Sequence, residues 1–248
     1  MKILFSPSET KIDGGEGDFL NKNSFIFPEL YSKRLEILNS YNDFLKTASK
    51  EQLEKLFGTK KEDILNKYRQ DIFSQNTKKA IERYTGVAYD YLNYSNLNEN
   101  EKKYIDENTL IFSNLFGVLT ANDEIPDYKL KQGESFLGLK LEKFYNENFS
   151  LKLDEFLENE DILDLRAGFY EKFYTIKKPH FSMKFIKDGK VVSHFAKAYR
   201  GIILRLVAQN NIKSIDELMN MEIENLSIEE IKKQKLKTEI IYNINIRG

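Results

Sequence analysis

The chain has 248 residues, of which 41% are hydrophobic, 31% charged and 13% aromatic, a composition that suits a folded domain and excludes a disordered tail or a fibre. The absence of cysteine excludes thiol catalysis, thiolate zinc sites, iron–sulfur clusters and disulfide scaffolds together. The apolar run Ile202-Ile203-Leu204 stops at Arg205, far short of the roughly 20 residues a membrane span needs, and Met1 to Pro7 is too short for a signal peptide; a soluble, cytoplasmic protein is expected.

Lys2 to Phe5 reads as a short buried strand, followed by a polar loop from Ser6 to Asn23. Pro28 is placed to open a helix, because a first-turn proline loses no hydrogen bond, and Ile37, Leu38, Tyr41 and Leu45 recur at helical spacing behind it. Ser49…Gln52 and Thr59…Glu62 both have the spacing of capping boxes, with Gly58 between them at the cheapest place for a left-handed cap, so a tight helical hairpin is predicted. Further helices are predicted at 76–84, 86–93, 98–107, 139–158, 196–210 and 214–220, with a short one at 228–233 opened by Ser227…Glu230. Strands are predicted at 109–113, 161–165, 180–187, 190–195 and 236–245, and Asp188-Gly189 is a strong hairpin signal between two of them. Helices and strands do not alternate regularly, which favours a single α+β domain over residues 1–248, a mixed sheet surrounded by helices, rather than a doubly wound sheet.

A formal net charge of -1 hides a strong segregation. Residues 142–164 carry eight acids against two lysines, residues 166–205 carry ten bases against two acids, and 216–230 carry six acids and no base. Alternation of this kind is able to build a basic cleft between acidic surfaces, where a concave wall of one sign concentrates the field for an anionic partner.

Ser6-Pro7-Ser8-Glu9-Thr10-Lys11 brings hydroxyls, a carboxylate and an ammonium to a strand end, a common place for binding groups. It lacks the glycine pattern of a phosphate-cradling loop. His180 and His194 stand on opposite arms of the predicted hairpin without the spacing of a zinc motif, so no metal and no cofactor is assigned. Ser6 with His194 and an acid makes a conceivable nucleophilic triad, but no nucleophile elbow accompanies it. Lys60 and Lys61 fall at the start of the second hairpin helix, where the dipole disfavours cations unless an anion is near.

Five spaced segments, Pro7-Ser8-Glu9-Thr10-Lys11, Leu115-Phe116-Gly117-Val118, Asp123 to Leu130, Asp164 to Tyr170 and Val191 to Lys197, closing on Gly201, together resemble the YaaA family of bacterial peroxide stress proteins. The resemblance runs in order over nearly the whole chain. It implies a protein of the hydrogen peroxide response linked to limiting free intracellular iron, with a single mixed domain, a basic cleft, a helix-hairpin-helix element and binding to double-stranded DNA without sequence preference. No established reaction comes with it. The chain departs from the family at Thr120-Ala121, where many members have Arg-Pro, at Lys129 in place of an arginine, and at Ala167 in place of a serine.

The reading of the residues and the resemblance meet at Lys11, Arg166, Lys197 and Arg200 as expected DNA contacts, the hairpin at Gly58 adds Lys60 and Lys61, and Pro7, Gly58, Gly117, Pro126, Gly168 and Gly201 are expected to carry the structural motif. The competing expectation is an enzyme acting on a phosphorylated or nucleic-acid substrate in the same cleft, with Glu9, Asp123, Asp164 or His194 as catalytic group. Iron sequestration by carboxylates is a third. Whether Glu9, Lys11, Arg166, His194 and Lys197 converge decides between them.

Overall fold

The computed structural model describes residues 1–245. In chain order the elements are β1 (Lys2–Phe5), α1 (Tyr31–Thr47), α2 (Lys50–Phe57), α3 (Glu62–Lys67), β2 (Lys78–Lys79), α4 (Ala80–Arg83), α5 (Val87–Leu92), α6 (Glu99–Asn108), β3 (Thr109–Ser113), β4 (Gly117–Thr120) and β5 (Glu124–Ile125). There follow α7 (Leu141–Phe156), β6 (Ile162–Asp164), β7 (His180–Lys187), β8 (Lys190–Val191), α8 (Ser193–Gln209), α9 (Ile215–Met219), β9 (Leu226–Lys233) and β10 (Lys237–Ile244).

The main sheet is mixed, in the order β4-β3-β1-β6-β7-β10-β9, with β8 pairing to β7. The five central strands β3, β1, β6, β7 and β10 run parallel, while β4 and β9 add antiparallel edges. Parallel strands covered on both faces need apolar side chains throughout, and Ile3-Leu4-Phe5, Leu110-Ile111-Phe112 and Ile162-Leu163 are buried accordingly. Helix α8 lies across β7 and packs on α5 and α6, and α7 packs on β4. Phe185 of β7 stacks between Tyr199 of α8 and Tyr242 of β10. The α+β reading with a mixed sheet therefore stands, and its parallel centre is what the irregular spacing of elements concealed.

Two buried arginines tie the loops to this frame. Arg34 of α1 donates to the carbonyls of Ile26 (2.9 Å), Val118 (2.8 Å) and Phe116, with its guanidinium between the rings of Phe25 and Phe149. Arg83 donates to Ile12 (2.7 Å), Gly14 (2.6 Å) and Ile125 (3.1 Å). In both, a buried charge is met by several carbonyl dipoles, the condition under which burial of a guanidinium is tolerated. Nothing in the sequence marks these arginines as different from the exposed ones.

Several local expectations change. Residues 76–84 form only the short α4 behind the two-residue β2, and Pro28 opens a 3₁₀ turn, Pro28–Leu30, before α1 begins at Tyr31. The predicted helix at 228–233 is strand β9, because pairing with β10 overrides a local capping signal. The predicted strand 190–195 ends at Val191, and α8 starts at Ser193. The Asp188-Gly189 hairpin is present, with φ of 50° and 71° as a two-residue turn of this kind requires.

Candidate functional site

β1 leaves the sheet toward β3 on one side, and β6 leaves toward β7 on the other. The carboxyl ends of these two neighbours therefore open a crevice, since their following loops diverge, and such switch points are where open parallel sheets bind ligands. A cavity of about 370 Å³ lies there. Its walls come from the loop after β1, the turn into α5, the start of the loop after β6, Gln132 and the first two turns of α8.

The loop after β1 is fixed from four sides. Ser6 Oγ accepts from Ala167 N at 2.8 Å, stapling the β1 exit to the β6 exit, and Tyr89 donates to the Ser6 carbonyl at 2.9 Å. Thr10 Oγ1 donates to Thr85 O at 3.0 Å, and Glu9 Oε1 accepts from Gln132 N at 2.9 Å. Gly86, with φ of 99°, is the one residue type that fits here: a Cβ would stand 3.1 Å from Thr10 Oγ1 and 3.2 Å from Ser8 Oγ. Hydroxyls of Ser6, Ser8 and Thr10 thus border an apolar floor that includes Phe5, Leu165 and Ala167.

Lys11 lies behind this loop and not on the cavity wall. Its ammonium donates to the carbonyls of Ser8 (3.2 Å) and Glu9 (3.4 Å) and sits 4.0 Å from the centroid of the Tyr128 ring. Enclosure lowers its pKa from 10.5 to about 7, with Asp127 as the main opposing influence. Tyr128 is itself held by hydrogen bonds to Tyr84 (2.9 Å), Ser113 (2.9 Å) and Asn114 (3.0 Å). Next to it, Lys67 pairs with Asp127 at 2.9 Å and with Asp13, and burial raises the Asp127 carboxyl.

Lys197 and Arg200 reach the crevice because α8 and α5 touch backbone to backbone. A Cβ on Gly201 would lie 1.9 Å from the Ala88 carbonyl oxygen, so only glycine permits this approach. Arg200 is half-buried, which lowers its pKa, with Asp164 and Glu171 as its nearest opposing charges. Among the described residues neither Lys197 nor Arg200 is within salt-bridge distance of a carboxylate.

The other expected site residues go elsewhere. Arg166 forms a bidentate pair with Asp164 (2.9 and 2.8 Å), donates to Tyr174 O at 3.0 Å and lies over Phe112, so this cation and this acid are both committed inside the protein. Asp123 is buried in the turn between β4 and β5, where it accepts from Ile26 N (2.8 Å) and from Thr120 Oγ1; burial raises its pKa, and it lines a separate depression. His194 is exposed on the first turn of α8 and is not on the crevice wall. His180 Nδ1 is 3.0 Å from the Lys178 carbonyl oxygen.

In the hairpin, Gly58 is the left-handed cap of α2, with φ of 66°. The second capping box does not form: Thr59 Oγ1 accepts from Lys61 N, and α3 starts at Glu62 with Glu62 and Asp63 in its first turn. Lys60 and Lys61 are exposed in the link ahead of it, away from the crevice wall. Two residues join hairpin and crevice: Lys131 N donates to Leu56 O at 2.9 Å, and the adjacent Gln132 holds Glu9. Gly117, with φ of 72°, leaves room for the Tyr145 ring, Pro126 is buried after β5, Pro7 borders the cavity, and Gly168 follows Ala167 out of β6.

Sequence reasoning missed Tyr89, Gln132, Gly86, Asp127 and Tyr128 as site-forming groups. Tyr128 lies inside the Asp123 to Leu130 segment, which carries the resemblance without marking any one side chain, and Gly86 is a visible signal, a lone glycine ahead of a helical segment. Among the described residues no group of three or more His, Asp or Glu side chains is arranged to hold a metal ion, and no helix is long and apolar enough to cross a membrane.

Fold and crevice together define a class: a helix-covered, centrally parallel sheet with a cavity at its switch point, walled by a hydroxyl-rich loop, Lys197 and Arg200. The family model for the peroxide stress protein YaaA matches residues 1–232, and the chain belongs to that family. It is 52% identical over 244 residues to an uncharacterized protein of Campylobacter jejuni, covering 98% of this chain and 99% of that relative. A UPF0246 protein of Corynebacterium glutamicum is 31% identical over 236 residues, 89% of this chain and 91% of its own length. One from Fusobacterium nucleatum is 27% identical over 237 residues, 92% and 93% of the two chains.

Proposed function

We propose that the crevice binds a phosphorylated substrate of about nucleotide size, and that the part this family plays in the peroxide stress response runs through that site. The observation that carries the reading is the placement of Lys197 and Arg200, free of carboxylate partners among the described residues, across from the hydroxyls of Ser6, Ser8 and Thr10. A cavity of about 370 Å³ is of small-ligand size. Its apolar floor suits a base or another flat organic body, with the phosphate turned toward the cations. Glu9 is the one carboxylate on the wall, and one of its oxygens is engaged by Gln132, which leaves the other for proton transfer to or from the ligand.

The test is calorimetric titration of the purified protein with a panel of mononucleotides and with inorganic pyrophosphate. Binding that falls at least about tenfold in Arg200→Ala, in keeping with the usual worth of a charge-assisted hydrogen bond, supports the reading. No binding across the panel, or binding indifferent to both Lys197→Ala and Arg200→Ala, refutes it. Turnover of a bound nucleotide that is lost in Glu9→Gln makes the site catalytic.

Binding to double-stranded DNA is the second reading, favoured by the exposed lysines Lys60, Lys61 and Lys190 in addition to Lys197. Contacts of this kind are made to phosphates, carry no sequence information and weaken steeply with salt. Protection of DNA and limitation of free iron are then consequences of what the site holds; the carboxylates of Asp13 and Asp127 are both taken up by Lys67. Affinity for duplex DNA that does not change between low and moderate salt would remove this reading and leave the first intact.

A further inference from the structure

We propose that the outer edge of β9 is a homodimer interface, at which two copies pair antiparallel about a two-fold axis through Ile231 and join their sheets into one. β9 ends the sheet, and among the described residues its outer edge pairs with nothing. Seven of its eight residues are exposed, and beyond the bulge at Glu229 the run from Glu230 to Lys233 is the regular part of this open edge.

The segment Glu229-Glu230-Ile231-Lys232-Lys233 is complementary to itself when reversed. Glu230 pairs with Lys232 of its own strand at 3.2 Å; antiparallel pairing centred on Ile231 places Glu230 opposite the partner's Lys232 as well, and the two-fold axis repeats that pair, while Glu229, the bulged residue, stands outside the alternation. Opposite charges directly across a strand pair stabilise it, and like charges destabilise it. Moving the register by two residues in either direction breaks this match, so the charges select one alignment. They also reject most foreign strands, which is the usual reason lysines are placed on edges. An isologous contact of this type is closed by its own symmetry and does not propagate into a fibre.

A second observation concerns the apolar side chains. Ile231 stands opposite Ile240, and Ile228 opposite Tyr242, because a bulge at Glu229 puts two isoleucines three residues apart on one face. That face is the one α8 covers further in, through the stack of Tyr242, Phe185 and Tyr199. Ile228 and Ile231 carry the apolar row past the helix into solvent, 44% and 43% exposed. Pairing about the axis brings Ile231 against its own symmetry mate and shields both. An eight-residue strand buries less than the roughly 1,600 Å² of a standard interface, so the dimer is expected to dissociate on dilution.

The test uses the full chain and two charge-reversed forms, Glu229→Lys with Glu230→Lys, and Lys232→Glu with Lys233→Glu. Sedimentation equilibrium of the wild type is expected to show a reversible monomer–dimer equilibrium. Each reversed form alone faces only like charges and should dimerise at least about tenfold more weakly. An equimolar mixture of the two restores opposite charges at every pair and should give a one-to-one heterodimer, an outcome that also requires both variants to be folded. Since the chain contains no cysteine, Ile231→Cys adds a direct readout: paired Cα atoms about 4.5 to 5.5 Å apart lie within disulfide reach, so oxidation should cross-link the dimer. A wild type that stays monomeric at high concentration, a dimer unaffected by either reversal, or a mixture that forms no heterodimer overturns the proposal.

Discussion

The Lys11 ammonium lies 4.0 Å from the centroid of the Tyr128 ring, behind the loop that forms the crevice wall, and not in the crevice itself. The position makes Lys11 a support for the Ser8 and Glu9 carbonyls, and its enclosure has a measurable consequence for stability.

Because the pKa of Lys11 falls from 10.5 unfolded to about 7 folded, the unfolded state binds more protons between those values. Its contribution to stability therefore rises with pH from about 7 toward 10.5 and is smallest in acid. Urea unfolding of wild type and Lys11→Met across this range should show a gain with pH in the wild type that the variant lacks. Parallel pH curves would refute the enclosed amine.

Gly201→Ala should destabilise the protein by about 1 to 3 kcal/mol or more, the range for overpacking, because the clash is with the Ala88 backbone and no side chain can move aside. At this chain length, each kcal/mol lowers the melting temperature by about 2 to 4 °C. The same substitution should weaken ligand binding, since α8 carries Lys197 and Arg200. A variant with unaltered melting would show that the helices do not touch at this point.

Arg166→Met leaves the Asp164 carboxylate buried without its partner and should cost about 3 to 5 kcal/mol, whereas Asp164→Asn with Arg166→Met should recover much of that loss. Thermal unfolding measures both. If the single substitution leaves stability unchanged and removes DNA binding, Arg166 is a phosphate contact after all and the pair is incidental.

Lys60→Glu with Lys61→Glu should leave the melting temperature close to that of the wild type, because both side chains are exposed. Duplex binding should weaken in this variant while mononucleotide binding in the crevice stays the same. Equal loss of both ligands would mean that hairpin and crevice act as one surface, connected through Lys131 and Gln132.

The sequence by itself determined the apolar strands Lys2–Phe5 and Thr109–Ser113, the Asp188-Gly189 turn, the cap at Gly58 and most of the helices. Each of these depends on residues close together in the chain, where periodicity and turn chemistry act directly. Five ordered motifs were also enough for the family. The charge pattern of 166–205 was legible as well, but a count of lysines and arginines says nothing about what each one faces. Only the tertiary structure turned Arg166 inward to Asp164 and left Arg200 facing the crevice, because their neighbours come from distant strands and loops. Likewise, Ser227 to Lys233 read as a capped helix until β10 offered it a row of hydrogen-bond partners. The crevice itself was illegible for the same reason. It exists because β1 and β6 lie side by side and their exits diverge, and strand order is set by long-range pairing that no local pattern encodes.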